Sequence, residues 1–570
     1  MRRAAVCLVA CGVLLTAACG EESGDDAGSS GSDASSGSDA GPGNDAATGS
    51  DAGPGSDAAT GSDAGVGTDA ASGSDSGGGD AGSTGVCEGV DVKYVYLGTS
   101  QTMAVSGLFV VNADGTQICE LDNAATTSEY EPVLSPDGTL LAFLGKVPPS
   151  GREDVFVWPV GGGAIIQVSQ SEGLNYGARN IQWSPDGAYL TYWCEGANYV
   201  VRPDGTDYVK LGTEGAAPGS DIYWSPDSSL LAFTEDGDLY TFPVDGGARQ
   251  LINGTLLSGM ISDISWQPTG ARIGYAAIQD NAGMREIYSS LADGQDNLRM
   301  SGSHDPLIGG AVSSGFRWSP DGARIAYRGD LQTDNIEELF VGDTSGSAVQ
   351  ASADRLADGD VKAFWWSPDS QKVAYKADFD VDNIVELYVT DGTAASAVKL
   401  SGPMAGDLNT SADVYWSPDS AYVAYFADQE VDGRDDLYVA VSDGSSWTRV
   451  SIDPASGGRI DVLPAQWAPD SAHIAYVATS GGSDPGQFVY VVAPDTNAGV
   501  AVSHDGAGDN NIMKYQWLPD SSGIVYIYHP SLGGEPAELR VASADGSTTT
   551  LLSDTAHASY DDAIDFIIVD

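Results

Sequence analysis

The chain has 570 residues, more than one ordinary core accommodates, so it holds several domains or a repeat array. Asp and Glu number 81 against 25 Lys and Arg, a formal net charge of -56. Such a surface repels DNA, RNA and anionic lipid, which excludes nucleic acid as a partner and favours cations and basic partners. With 73 Gly, 12 Trp and 25 Tyr, many turns meet many aromatics, a composition suited to β structure.

Residues 1–18 read as a secretory signal peptide. MRR supplies the positive start, and AAVCLVACGVLLTAA is an apolar run of 15 residues ending in small side chains. That run is too short for a comfortable membrane span. The following LTAAC resembles a bacterial lipobox, with its Leu one place further upstream than usual. The resemblance implies cleavage before Cys19 and lipidation of its thiol. Gly20 is not the Asp that retains such proteins at the inner membrane, so the expected site is the outer membrane of a bacterial envelope. The alternative is an ordinary signal peptide with an incidental Cys. Downstream of Cys19 only Cys87, Cys119 and Cys194 occur. Cys87 and Cys119 bracket the first predicted strands and are candidates for a disulfide, which export permits, leaving Cys194 a buried free thiol.

Residues 19–87 form a linker of Gly, Ser, Ala, Asp and Thr. Asp recurs at 33, 39, 45, 51, 57, 63, 69 and 75, a strict six-residue period. With no large apolar side chain to bury, the segment is expected to be disordered, spanning roughly 45 Å root-mean-square and more under its own charge.

From residue 88 one motif recurs: VLSPDG at 133, WSPDG at 183, WSPDS at 224, WQPTG at 266, WSPDG at 318, WSPDS at 366 and 416, WAPDS at 467 and WLPDS at 517. The anchors (Leu134 stands in for the first Trp) are 49, 41, 42, 52, 48, 50, 51 and 50 residues apart, a repeat period near 50. In SPDG, Pro presets a turn, Ser and Asp bond back to backbone, and Gly or Ser closes it. A strand such as DVYW precedes the turn and an alternating strand such as AYVAYF follows. A third strand, DLYVAVSDG, ends in an Asp-Gly hairpin into a fourth, WTRVS. Four antiparallel strands per unit make one propeller blade.

The nine copies resemble TolB-like, or WD-like, propeller repeats over residues 88–570. WQPTG lacks the Asp, the first copy lacks the Trp, and a linker replaces the amino-terminal domain of TolB, which sets a TolB role in envelope import aside. Before the first anchor, VKYVYLG, GLFVVNADG and QICEL read as strands two to four of a blade whose first strand is missing. The terminal AIDFIIVD is a lone strand able to complete it, which would remove two exposed edges. The expected fold is therefore all-β, a single ring of about ten blades closed by the carboxy-terminal strand. Eight or nine regular blades, or two stacked propellers, are the alternatives.

Antiparallel order places the SPD and DG turns at one end of each blade, and the loops between strands two and three at the other. The motif Trp is expected to pack between blades and the motif Asp to bond turn backbone. A Trp-lined binding channel is the alternative. On the opposite face three loops share a pattern: DLQTDNIEE from Asp330, DFDVDNIVE from Asp378 and DQEVDGRDD from Asp428. Each puts oxygen-bearing residues at positions 1, 3, 5 and 9, a density that suits Ca²⁺. The spacing resembles the calcium loops of integrin-type propellers. It is no EF-hand, because Val389 and Val439 stand at position 12. The candidate ligands are Asp378, Asp380, Asp382 and Glu386, then Asp330, Asp334 and Glu338, then Asp428, Glu430, Asp432 and Asp436. A fourth loop keeps only Asp280 and Glu286. The same residues also make good hairpin turns, and that reading stays open.

No catalytic residue is assigned. The five His residues show no metal spacing, no G-x-S-x-G elbow is present, and no Gly-rich stretch opens a helix. The expected function is a monomeric envelope lipoprotein, bound to membrane through its lipid anchor alone. Its propeller would bind or scaffold a protein, peptide or glycan. A polysaccharide lyase or hydrolase, and a calcium-stabilised surface adhesion protein, are the alternatives.

Overall fold

The computed structural model describes residues 87–569 apart from short segments between strands, the longest being 554–564. The strands form ten antiparallel blades. Blades 2 to 10 carry, in order, the anchors Leu134, Trp183, Trp224, Trp266, Trp318, Trp366, Trp416, Trp467 and Trp517. Blade 8 shows the pattern, with strands Tyr415–Trp416, Tyr422–Ala427, Asp436–Val441 and Trp447–Arg449. In blade 2 the first strand is broken into Thr126–Thr127 and Val133–Leu134, both paired with Leu140–Val147.

Blade 1 is composite. Its strands Tyr94–Thr99, Ser106–Val111 and Ile118–Glu120 are completed by Phe566–Ile568, with Tyr94 opposite Ile568 and Tyr96 opposite Phe566. The carboxy-terminal strand thus joins the ends of the ring, and the expectation of ten blades holds over eight, nine or two stacked rings.

The alternating second strand explains the core. In blade 8, Val423, Tyr425 and Ala427 face blade 7, while Ala424 and Phe426 face blade 9. Period two on a sheet covered on both sides gives a nearly continuous apolar run. Each fully buried Val or Leu contributes roughly 1.5–3 kcal/mol. Each seam between successive blades holds one apolar cluster of this kind, including the last, where Val525, Ile527 and Leu539 of blade 10 meet Tyr94, Tyr96 and Phe109 of blade 1. Stacked Tyr pairs join strands two and three in blades 3, 5, 7, 8 and 9, with ring centroids 5.4, 5.9, 5.5, 5.7 and 5.6 Å apart. The two short units, spaced 41 and 42 residues, are blades 3 and 4, whose second strands end at Cys194 and Glu235 and whose third strands begin at Ala197 and Asp238.

Candidate functional site

The two ends of the blades differ in what their polar groups do. At the motif end the turn is self-contained. In blade 8 the Ser417 hydroxyl donates to Asp419 Oδ1 (2.6 Å), Asp419 Oδ1 accepts the Ala421 N–H (3.0 Å), and Ser417 Oγ accepts the Tyr422 N–H (2.9 Å). Hydrogen bonds from Ser135, Ser225 and Ser319 hold the Asp137, Asp227 and Asp321 carboxyls below the ordinary range. The fourth turn residue is left-handed throughout. Where it is Gly, as at Gly187 (φ 71°), no strain arises; where it is Ser, as at Ser420 (φ 62°), a side chain is held in a disfavoured region.

That Ser has a use across the seam. The Asp N–H of the preceding blade donates to it: Asp186 to Ser228 (3.0 Å), Asp321 to Ser370 (2.9 Å), Asp369 to Ser420 (3.0 Å), Asp419 to Ser471 (3.1 Å) and Asp470 to Ser521 (3.1 Å). A second latch comes from the anchor Trp, whose indole N–H donates to a first-strand carbonyl of the preceding blade. The pairs are Trp183 with Val133 (3.0 Å), Trp266 with Tyr223 (2.9 Å), Trp318 with Ser265 (3.3 Å), Trp366 with Arg317 (3.1 Å), Trp416 with Trp365 (3.3 Å), Trp467 with Tyr415 (3.0 Å) and Trp517 with Gln466 (3.0 Å). The Trp packs between blades and the Asp bonds turn backbone, so the motif is a joint. In the departing copy WQPTG, Gln267 donates its amide to the Gly322 carbonyl of blade 6 (2.7 Å), a substitute joint.

At the loop end the acidic residues fall into three groups. Position 1 ties down the strand entering its own blade: Asp330 Oδ1 accepts the Ala311 N–H and Asp378 Oδ1 accepts the Asp360 N–H, both at 2.7 Å. Asp428 is buried at the same place. Positions 3 and 9 share a cation from the fourth strand, and in blade 8 a second one, Arg434 of the loop itself, 4.0 Å from Glu430 and 2.7 Å from Asp436. Arg299 stands 3.8 Å from Asp280 and 3.0 Å from Glu286; Lys399 stands 3.3 Å from Asp380 and also pairs with Glu386; Arg449 stands 3.0 Å from Glu430 and 3.4 Å from Asp436. Blade 6 has Gln350 at the cation's place and Gln332 at position 3, and there Glu338 accepts the Gln332 N–H (3.0 Å) and the Thr333 hydroxyl (3.1 Å). The position 5 residues Asp334, Asp382 and Asp432 lie outside the described residues. Among the described residues no group of three or more His, Cys, Asp or Glu is placed to hold a metal ion.

The fourth-strand cations went unrecognised in the sequence, although the spacing is regular: each follows its carboxylate by 13 residues in blades 5, 7 and 8. A second unrecognised element is the Ser that ends the fourth strand. Ser301, Ser352, Ser401, Ser503 and Ser553 accept the N–H of Ile287, Leu339, Leu387, Val489 and Leu539, at 3.3, 3.1, 3.1, 3.0 and 3.0 Å.

Two loop-end seams carry a cation where other blades bury an apolar side chain. Arg328 of blade 6 donates to the Val361 and Lys362 carbonyls of blade 7, at 2.9 and 2.5 Å. Lys376 of blade 7 is 1% exposed and lies 5.5 Å from the Trp365 ring. Burial pulls its pKa down to about 8, against the upward pull of Asp413 and Asp435 from blade 8. Cys87 and Cys119 form a disulfide, and Cys194 is buried and not disulfide-bonded.

The fold defines a ten-bladed β-propeller. No family model matches the chain, and no curated protein does. Among solved structures it is similar to a eukaryotic initiation factor, at 13% identity over 80% of this chain and 96% of that one, TM-score 0.43. It is similar to an oligogalacturonate lyase in complex with manganese, at 14% identity over 62% and 98%, TM-score 0.32. It is also similar to a putative TolB from Agrobacterium tumefaciens, at 23% identity over 49% and 94%, TM-score 0.26. Nothing of what those proteins bind or catalyse transfers to this chain at such similarity.

Proposed function

We propose that the chain is a cell-envelope lipoprotein, lipidated at Cys19, that presents a TolB-like propeller as a binding or scaffolding module. The ligand is an envelope protein, peptide or glycan, and it docks on the loop face. The observation that supports this reading is the unequal use of the two faces. At the motif end the Ser, Asp and Trp groups are spent on turns and seams. At the loop end the blades differ from one another in length, charge and exposed apolar tips such as Val381 (51% exposed) and Val431 (47% exposed). Recognition sites of propellers and other scaffolds sit on such variable loops.

Capture from envelope extract tests the reading with paired variants. Val381→Arg with Val431→Arg alters the loop face; Gln371→Arg with Ala323→Arg alters the motif face. Loss of capture with the first pair alone is the expected result. Loss with the second pair alone would place binding on the other face. Radioactive fatty acid tests the anchor, since label on the wild type and none on Cys19→Ala is expected.

A further inference from the structure

We propose that the Cys87–Cys119 disulfide is a redox-sensitive lock on the seam beside the ring's closure. Its loss would loosen blades 1 and 2 while leaving blades 6 to 10 closed. The proposal does not depend on what the propeller binds.

The seam between blades 1 and 2 lacks both repeated latches by sequence. Leu134 has no indole, Gly138 has no hydroxyl, and blade 1 has no SPD turn to donate from. The neighbouring seam, between blades 10 and 1, receives its first strand from the carboxy terminus and likewise has neither latch. At the first of these seams the disulfide takes their place. Cys87 packs with Val92, Val95 and Leu121 of blade 1 and with Trp158 and Val160 of blade 2. Glu88 lies over the turn between strands three and four of blade 2, where a Cβ on Gly162 would stand 3.3 Å from the Glu88 Cα. Residues 87–92 therefore bridge the two blades, and the disulfide fastens their start to Ile118–Glu120, the outermost strand of blade 1. Beyond it, the backbone is fastened by the Val90 N–H to the Cys87 carbonyl (3.4 Å) and the Lys93 N–H to the Val111 carbonyl (2.9 Å). The first of these is local and long. The Trp158 indole N–H, buried in the same cluster, has no partner among the described residues, a further weakness at this seam.

The switching step needs a dithiol reductant. The Cys87–Cys119 S–S bond breaks, and two electrons and two protons pass to the two cysteines. The reductant's thiols close into its own disulfide. Residues 87–92 are then free to lift from blade 2, and the seam loses its bridge.

The test is limited proteolysis of the full chain, folded oxidised and then held with or without dithiothreitol. Trypsin cleavage at Lys93, Lys146 and Arg152 is compared with cleavage at Lys372, Lys376 and Lys399 in the same digest. Reduction should speed the first group about tenfold or more and leave the second unchanged, since cleavage reports local opening. Equal acceleration of both groups, or none in the first, would overturn the proposal. Cys87→Ser with Cys119→Ser should reproduce the reduced pattern. If that variant fails to fold, reduction of the prefolded protein decides the matter.

Discussion

Blades 6 to 10 and blades 1 to 5 share one fold and differ in how they are joined. Each of the four seams from blade 6 to blade 10 carries both the indole bond and the Ser bond. The seams from blade 2 to blade 6 carry one of the two repeated latches each, and the seams on either side of blade 1 carry neither. The seam between blades 3 and 4 is instructive. Ser228 makes its bond there, yet the Trp224 indole N–H is buried without a partner among the described residues. In blade 3 the first strand bulges at Asn180, which is left-handed at φ 55°, and the register shifts. A motif residue is therefore no guarantee of its bond, and the bulge alone does not account for the loss, since the first strand of blade 5 bulges alike at Asp263 (φ 53°) and Trp318 still bonds the Ser265 carbonyl there.

The comparison can be broken in several ways, and removing the disulfide should do most. Closing a chain separation of 32 residues, it stabilises by about 3–4 kcal/mol, so Cys87→Ser with Cys119→Ser should lower the unfolding free energy from denaturant titration by that much. Lys376 comes next, as a liability within the well-latched half. Its folded pKa, about 8, lies below the unfolded 10.5, so the unfolded state holds the proton more tightly. The penalty is complete below about pH 8, shrinks between pH 8 and 10.5, and is gone above. Lys376→Met should raise stability by about 2–3 kcal/mol at pH 7 and by little at pH 10.5, by urea unfolding at both values.

The Ser latch predicts an ordering. Ser420→Ala keeps the left-handed strain and loses the bond, for about 1–2 kcal/mol; Ser420→Gly loses the bond and relieves the strain, and should come out less damaging. Equal losses would mean the left-handed φ of Ser420 costs nothing, and no loss in Ser420→Ala would mean the bond to Asp369 contributes nothing. The indole latch gives a sharper pair. Trp467→Phe removes a bond and should destabilise by about 1 kcal/mol more than Trp224→Phe, which removes an N–H with no partner among the described residues.

The smallest effect expected is that of a chelator. Lys399 and Arg449 already sit between the carboxylates of positions 3 and 9, so EDTA should leave the unfolding midpoint in place. Lys399→Gln strips that compensation from Asp380 and Glu386. Added Ca²⁺ should then raise the variant's midpoint more than that of the wild type. A fall of the wild-type midpoint on chelation would instead favour the calcium loops.

Much of the ring was legible because the signals are local and repeated. Turn residues, period-two strands and a lone terminal strand give blade count and closure without any long-range information. The latches were not, because their partners lie about one blade apart. SPDS and SPDG look interchangeable until Ser420 is seen to face the Asp369 N–H. The acidic loops looked like metal ligands for a related reason. Oxygen spacing is visible in nine residues, but Arg299, Lys399 and Arg449 arrive from the next strand.

Hydrogen–deuterium exchange on the full chain, oxidised and then reduced, resolved by blade, is the most direct measurement of the central claim that seam latches set local stability. Second- and third-strand amides of blades 7 to 9 should exchange most slowly, those of blades 3 to 5 faster, and those of blades 1 and 2 fastest once the disulfide is reduced. Uniform exchange around the ring, or slowest exchange in blades 1 to 4 after reduction, would contradict it.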